Sequence, residues 1–272
     1  MQTTIAQSAA LTIYGNASLR GEDIGAFWPG GTVFGFCKTV TFLALADDGA
    51  ASVPYAADPL SWYARLRSEE VRGLRLHHLS GSNPDLSDRM SVGFVGGGGT
   101  WLIETIGDRH ARGWVGRWQV GNQQDPERRI WSVTYLRLPG AQRPARLPAA
   151  NHERLIAELA ALLHEAAAFA DRNRLDGFAG CFRTGFKLLQ SDAPLGEVYH
   201  SDLAPSGAVP LWGRQLLAVA QAAWVFGGMG SWNDLSFDGE DQRVYEKLSD
   251  RLFDLLNQAI LVATNASFVH QA

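Results

Sequence analysis

Lysine and cysteine are the scarce residues of this sequence. Only three of the 24 basic residues are Lys (Lys38, Lys187, Lys247), and the 272 residues hold two Cys. Two isolated thiols cannot staple a fold, so a disulfide framework is excluded. Cys37 and Cys181 read instead as small buried hydrophobes. A dense basic stripe is missing as well, which argues against a nucleic-acid partner. The net charge is −4, with 15 Lys/Arg and 13 Asp/Glu before residue 150 and 9 against 15 from there on.

No apolar run is long enough to cross a bilayer. The greasiest stretches, 157–170 and 211–226, are too short or too interrupted, so no membrane partner is expected. No basic residue precedes Arg20, and the first residues do not read as a secretory leader. The expectation is therefore a soluble, cytoplasmic protein. Asn16-Ala-Ser18 and Asn265-Ala-Ser267 fit the glycosylation triplet, which arises readily by chance and needs a secretory route.

Motifs of known chemistry are also missing. Gly96 to Gly99 lacks the Lys and the helix that a phosphate loop needs, because Thr100-Trp101-Leu102-Ile103 follows as a strand. Ser231 has Met229 and Asn233 where a hydrolase elbow has glycines. His164-Glu165 has no second His at the metalloprotease spacing, and no other His/Cys/Glu set is spaced to hold a metal. No metal and no cofactor is expected.

What is present is a chain of two textures. Period-two or β-branched runs predict strands over 33–46, 71–79, 90–95, 101–106, 114–120 and 130–138. The last two flank a polar loop and predict an antiparallel hairpin, and Asp47-Asp48-Gly49 predicts a turn. One short helix is expected after the N-cap Asp58, with Pro59 at its first position. Residues 141–150, with Pro144 and Pro148, mark a change of regime. Helical periodicity then predicts helices over 151–173, 178–190, 211–226 and 240–265. Strands first and helices afterwards predict an α+β fold: an antiparallel sheet packed on a helical layer. The 211–226 segment is apolar on nearly all sides. It is expected in the middle, between sheet and helices, fusing 1–146 and 147–272 into one domain.

Candidate site residues fall in three places. In the loop after 226, Gly228, Ser231, Trp232, Asn233 and Asp234 gather backbone freedom, a stacking face and hydrogen-bonding groups, or else form only a turn that ends the helix. His200 and Asp202, two apart in a Pro/Gly-bounded loop, suit a proton-transfer group and its orienter. Nine Trp are present, and Trp101, Trp114, Trp118 and Trp131 cluster in the hairpin region with Arg117, as an aromatic groove or as core. Three readings follow. The first is a ligand- or protein-binding domain with an aromatic, Gly-rich site for a small molecule or protein partner. The second is a metal-independent hydrolase or transferase using His200. The third is a homo-oligomer joined through the last helix.

Overall fold

The computed structural model describes residues 1–45, 52–81, 86–94, 97–107, 112–138 and 151–268. The expected turn at Asp47-Asp48-Gly49, the linker over 141–150 and Gly96 lie outside the described residues. The architecture is α+β, with a six-stranded, mostly antiparallel sheet in the first half and helices in the second.

The chain opens with a helix that periodicity did not reveal, α1 (Thr3–Leu19), in which every residue from Ile5 to Ser18 is buried. The single turn α2 (Phe27–Gly30) leads to β1 (Cys37–Leu45) and β2 (Ser52–Ala56). Next come α3 (Pro59–Ser68) and β3 (Gly73–Leu79), then the turn α4 (Asp88–Ser91). The strands β4 (Thr100–Ile106), β5 (Arg112–Val120) and β6 (Trp131–Leu138) complete the sheet. The helices α5 (His152–Arg172), α6 (Asp176–Leu188), α7 (Leu211–Ala222) and α8 (Gly239–Asn265) follow. Asp58 caps α3 as expected, accepting from the Ser61 N–H at 2.7 Å while the Ser61 hydroxyl accepts from the Asp58 N–H. Asn151 caps α5 by accepting from the Arg154 N–H.

The strand order is β2-β1-β6-β5-β4-β3. The expected hairpin is present, with Trp118 opposite Val133 and Val120 opposite Trp131. Three expectations need correction. The pairing of β1 with β6 is parallel, because α3 and the strands after it carry the chain across the sheet before β6 returns beside β1. The apolar run from 33 enters the sheet only at Cys37, after a helical turn at Thr32–Phe34. The strand expected over 90–95 is absent over its described residues. Met90 and Ser91 end the turn α4, which Ser87 caps by accepting from the Met90 N–H, residues 92–94 continue as turn and bend, and Val95 lies outside the described residues.

The largest correction concerns the middle of the molecule. The segment expected there, now α7, packs on α6 and α8. It is α1 that lies against β3 and β4 on one side and α8 and α3 on the others. A helix covered all round has no polar face, so its residues carry no period to read. Instead its polar side chains are each bonded inside. Gln7 Nε2 donates to the Val33 carbonyl at 3.1 Å, and the Thr12 hydroxyl donates to the Ser8 carbonyl. Gly15 allows the contact with the sheet, since a Cβ there would stand 2.3 Å from Leu74 Cδ1.

Both outer edges of the sheet are closed. On β3, Asn16 Oδ1 accepts from the Leu74 N–H at 2.7 Å while its Nδ2 donates to the Leu74 carbonyl at 3.0 Å. Two residues on, Asn265 treats Leu76 identically, at 2.7 and 2.9 Å. The two side-chain amides thus stand in for a seventh strand. This also accounts for both glycosylation triplets, whose asparagine amides are already engaged. On the opposite edge, β2 carries Pro54, which has no N–H to offer. The core beneath draws on both halves, from Phe42, Trp62, Trp114 and Tyr135 to Leu216, Leu252 and Leu256.

Replacing Asn16 by Ala strands two backbone groups of Leu74 in a buried place. Urea unfolding is expected to show a loss of roughly 1–3 kcal/mol. A loss below a few tenths would mean that water replaces the amide.

Candidate functional site

The loop at 227–234 is bound to its own backbone. The Ser231 hydroxyl accepts from the Asn233 N–H at 3.3 Å and donates to the Gly227 carbonyl at 3.1 Å. The Asp234 carboxylate accepts from the N–H groups of Gly230 and Ser231. Trp232 is fully buried: its indole N–H donates to the Ser249 hydroxyl at 2.7 Å, and Phe178, Phe182 and Tyr245 surround its ring. Its faces are therefore taken up by the core. Asn233 donates to the Arg89 carbonyl at 2.8 Å, tying this loop to α4. Gly228 is exposed, and a Cβ on it would meet nothing within 4 Å.

His200 is buried, and its loop is clipped to the turn at Thr32–Phe34. The Thr32 hydroxyl donates to Asp202 Oδ1 in a short contact, and the Thr32 N–H donates to Asp202 Oδ2 at 2.8 Å. With that hydroxyl proton committed, His200 Nδ1 must be the donor across the 3.0 Å to Thr32 Oγ1. The His200 N–H donates to Gln221 Oε1 at 2.9 Å, and Tyr14 donates to the Asp202 carbonyl at 2.8 Å. Burial pushes the His200 imidazole down to about 4, against the opposing pull of Asp202. His200 and Asp202 thus communicate through Thr32, and the cluster holds two loops together. The remaining histidines of the sheet point to opposite faces, as the strand period requires: His77 meets Glu104 at 2.9 Å and His78 meets the Gly98 carbonyl at 2.8 Å.

A cavity of about 720 Å³ opens elsewhere, between the first turn of α1 and the β4–β5 region of the sheet. Arg117 and Trp118 line it, as do Trp101 and Trp131; His200, Asp202 and the 228–234 residues do not. The four hairpin tryptophans divide their roles. Trp114 is core, packed edge-on to Trp62 and Phe42, whereas Trp101, Trp118 and Trp131 are half-buried around the cavity. Trp118 and Trp131 meet edge to face at 5.9 Å. Phe36 and Phe94, 44% and 70% exposed, stand among the lining residues.

The opposite wall comes from residues that sequence reasoning missed: Gln2, Thr3, Thr4 and Ser8 of the unrecognised helix. Gln2 Nε2 donates to the Val92 carbonyl at 2.7 Å, joining this wall to the segment after α4. Gly93 there sits so close to the Gly227 carbonyl that no Cβ fits. The 227–234 loop therefore backs the cavity wall without reaching the cavity. At the Gly116 floor the Tyr135 ring stands 3.2 Å from where a Cβ would be, and the Tyr135 hydroxyl donates to Gln7 Oε1 at 3.1 Å. Cys37, also on the floor, is pushed up to about 11 by burial and stays a thiol. Among the described residues no group of three or more His, Cys, Asp or Glu is arranged to hold a metal. Among them, no helix is long and apolar enough to cross a membrane.

In comparison with known proteins, the chain matches no family model, no curated protein and no solved structure. Its site is read from its own geometry.

Two outcomes are expected. Trp232→Ala empties a fully packed position and should cost about 3–5 kcal/mol in denaturant unfolding. A near-neutral effect would contradict the packing. The depressed His200 group binds its proton in the unfolded state first, so folding is opposed as pH falls from about 6.5 toward 4. Its contribution is complete above that window. The stability of the wild type should fall more steeply there than that of His200→Asn, by at most about 1.4 kcal/mol per pH unit. Parallel curves would show that His200 titrates normally.

Proposed function

We propose that this protein is a binding module whose ligand sits in the cavity between the first turn of α1 and the aromatic end of the sheet. One observation carries the reading: three half-buried tryptophans and two exposed phenylalanines surround a concavity of about 720 Å³. That volume is in the range of sites that enclose a small molecule or a few residues of a partner, and aromatic walls are their usual lining. Trp118 and Trp131 supply ring faces, and Thr3 and Thr4 supply polar groups on the facing wall. Arg117 borders the same space. His200 Nδ1, the His200 backbone N–H and both Asp202 carboxylate oxygens are turned on Thr32 and Gln221. That use favours a binding role over acid–base catalysis. The loop of Gly228, Ser231, Trp232, Asn233 and Asp234 acts in this reading as a buttress through Gly93.

Two unpaired thiols, Cys37 and Cys181, fit a reducing, cytoplasmic setting. The two halves are read as one domain because α1 and α8 each pack against β3.

The test uses 8-anilinonaphthalene-1-sulfonate, a fluorescent aromatic probe. It should bind saturably at one site per chain, with quenching of Trp emission. Trp118→Ala should weaken binding about three- to tenfold, the value of one aromatic contact. Thr4→Trp, which places a bulky ring on the facing wall, should abolish it. Probe binding of equal strength in wild type and both variants, each shown to be folded by circular dichroism, would remove the cavity from consideration.

A further inference from the structure

The cavity is lined not only by the face of β5 but by its edge. Val115, Gly116, Arg117, Trp118 and Gln119 border it in unbroken succession. A strand that offered only its face would contribute every second residue. The register explains how an edge becomes accessible in mid-sheet. The β3–β4 ladder runs to Leu79 opposite Thr100, and the β5–β6 ladder runs to Val120 opposite Trp131. The ladder between β4 and β5 stops early, at Leu102 opposite Val115. Beyond that pair the two strands part, and the sheet is split.

The hydrogen-bonding parity of β5 shows what the split exposes. The Gly121 N–H donates to the Ile130 carbonyl at 2.7 Å, continuing the β5–β6 ladder. Pairs two residues apart repeat that pattern, so Arg117 and Gln119 bond toward β6. Trp118 and Val120 then direct their N–H and C=O groups into the split, where no strand among the described residues pairs with them. These groups recur every two residues, about 7 Å apart. Those of Trp118 lie at the cavity, and those of Val120 follow next to its last β5 lining residue, Gln119.

The treatment of the other edges sharpens the contrast. Pro54 closes β2, and the amides of Asn16 and Asn265 close β3. Both outer edges are protected against an added strand. The inner edge of β5 has no such guard among the described residues. Charge narrows the partner further. Among the described lining residues there is no carboxylate and one guanidinium, that of Arg117.

We infer that the cavity's ligand is an extended peptide segment of a partner protein, apolar to acidic in character, which pairs with the inner edge of β5 at Trp118 and Val120 as an added strand. Alternate side chains of that segment would then point between Trp101, Trp118 and Trp131. The inference rests on the cavity being the binding site, as proposed above, and adds the class of ligand.

Random heptapeptides displayed on phage are selected on the full-length protein, and the enriched sequences are synthesised. They should bind at micromolar concentration, compete with 8-anilinonaphthalene-1-sulfonate, and be poor in Lys and Arg. Methylating their backbone nitrogens one at a time should weaken binding tenfold or more at every second position and little between. Val120→Pro deletes one N–H of the exposed edge and spares the β5–β6 ladder. It should keep the unfolding midpoint and lose tenfold or more in peptide affinity. A methylation scan without a period of two, or full affinity in Val120→Pro, would overturn strand addition. Saturable binding of the probe with no peptide enriched would overturn the peptide but leave the cavity as a small-molecule site. Failure of both probe and peptides would end the reading of the cavity itself.

Discussion

The structure depends on the complete burial of a helix that is not wholly apolar. Gln7, Ser8, Thr12 and Asn16 lie on α1 with almost no exposure. Each such group must find a partner or impose a penalty of a few kcal/mol on the fold. Gln7 finds the Val33 carbonyl and the Tyr135 hydroxyl, and Asn16 finds both backbone groups of Leu74 and the Ser267 hydroxyl. These bonds fix the helix along its axis and about it. A purely greasy rod would be free to slide or rotate by a residue, whereas this one is keyed to the strand beside it. The close approach at Gly15 completes the registration.

The cavity is a consequence of that placement. Because α1 is locked toward β3, its first turn faces the opposite end of the sheet, where β4 and β5 diverge. Side chains at its start do not fill the hollow, since Thr3, Thr4 and Ser8 are short. The rim is made from three tryptophans and two phenylalanines of separate elements. Large rings on short strands keep their orientation at small entropic cost, which suits the binding role proposed for this surface. The segment after α4 is pinned by Gln2 on one side and by the backbone of Gly227 on the other, so the wall is braced by both halves of the chain.

A division of labour among polar clusters emerges from the same geometry. The Thr32–His200–Asp202 clip, the Asn233–Arg89 contact and the two asparagine amides all bond groups within the protein to one another. Their chemistry resembles that of functional groups, but their partners are already present. The inner edge of β5 differs from them in that, beyond Val115, no strand among the described residues pairs with it.

The sequence by itself determined the α+β class, the Asp58 cap and the β5–β6 hairpin, along with the helices from α5 to α8. Each of these rests on a local period or a cap, which tertiary contacts did not override. It also singled out Arg117 and Trp118 through the density of aromatics in the hairpin. Only the tertiary structure decided which helix occupies the centre. Residues buried on every side lose the contrast between wet and dry faces, and contrast is all that periodicity reads. Only the tertiary structure separated Trp114 and Trp232 as core from Trp101, Trp118 and Trp131 at the cavity. A tryptophan's composition and spacing are the same whether its ring meets another ring or open space. The early end of the β4–β5 ladder was likewise invisible beforehand, because where two strands part is a property of the pair and of neither strand alone.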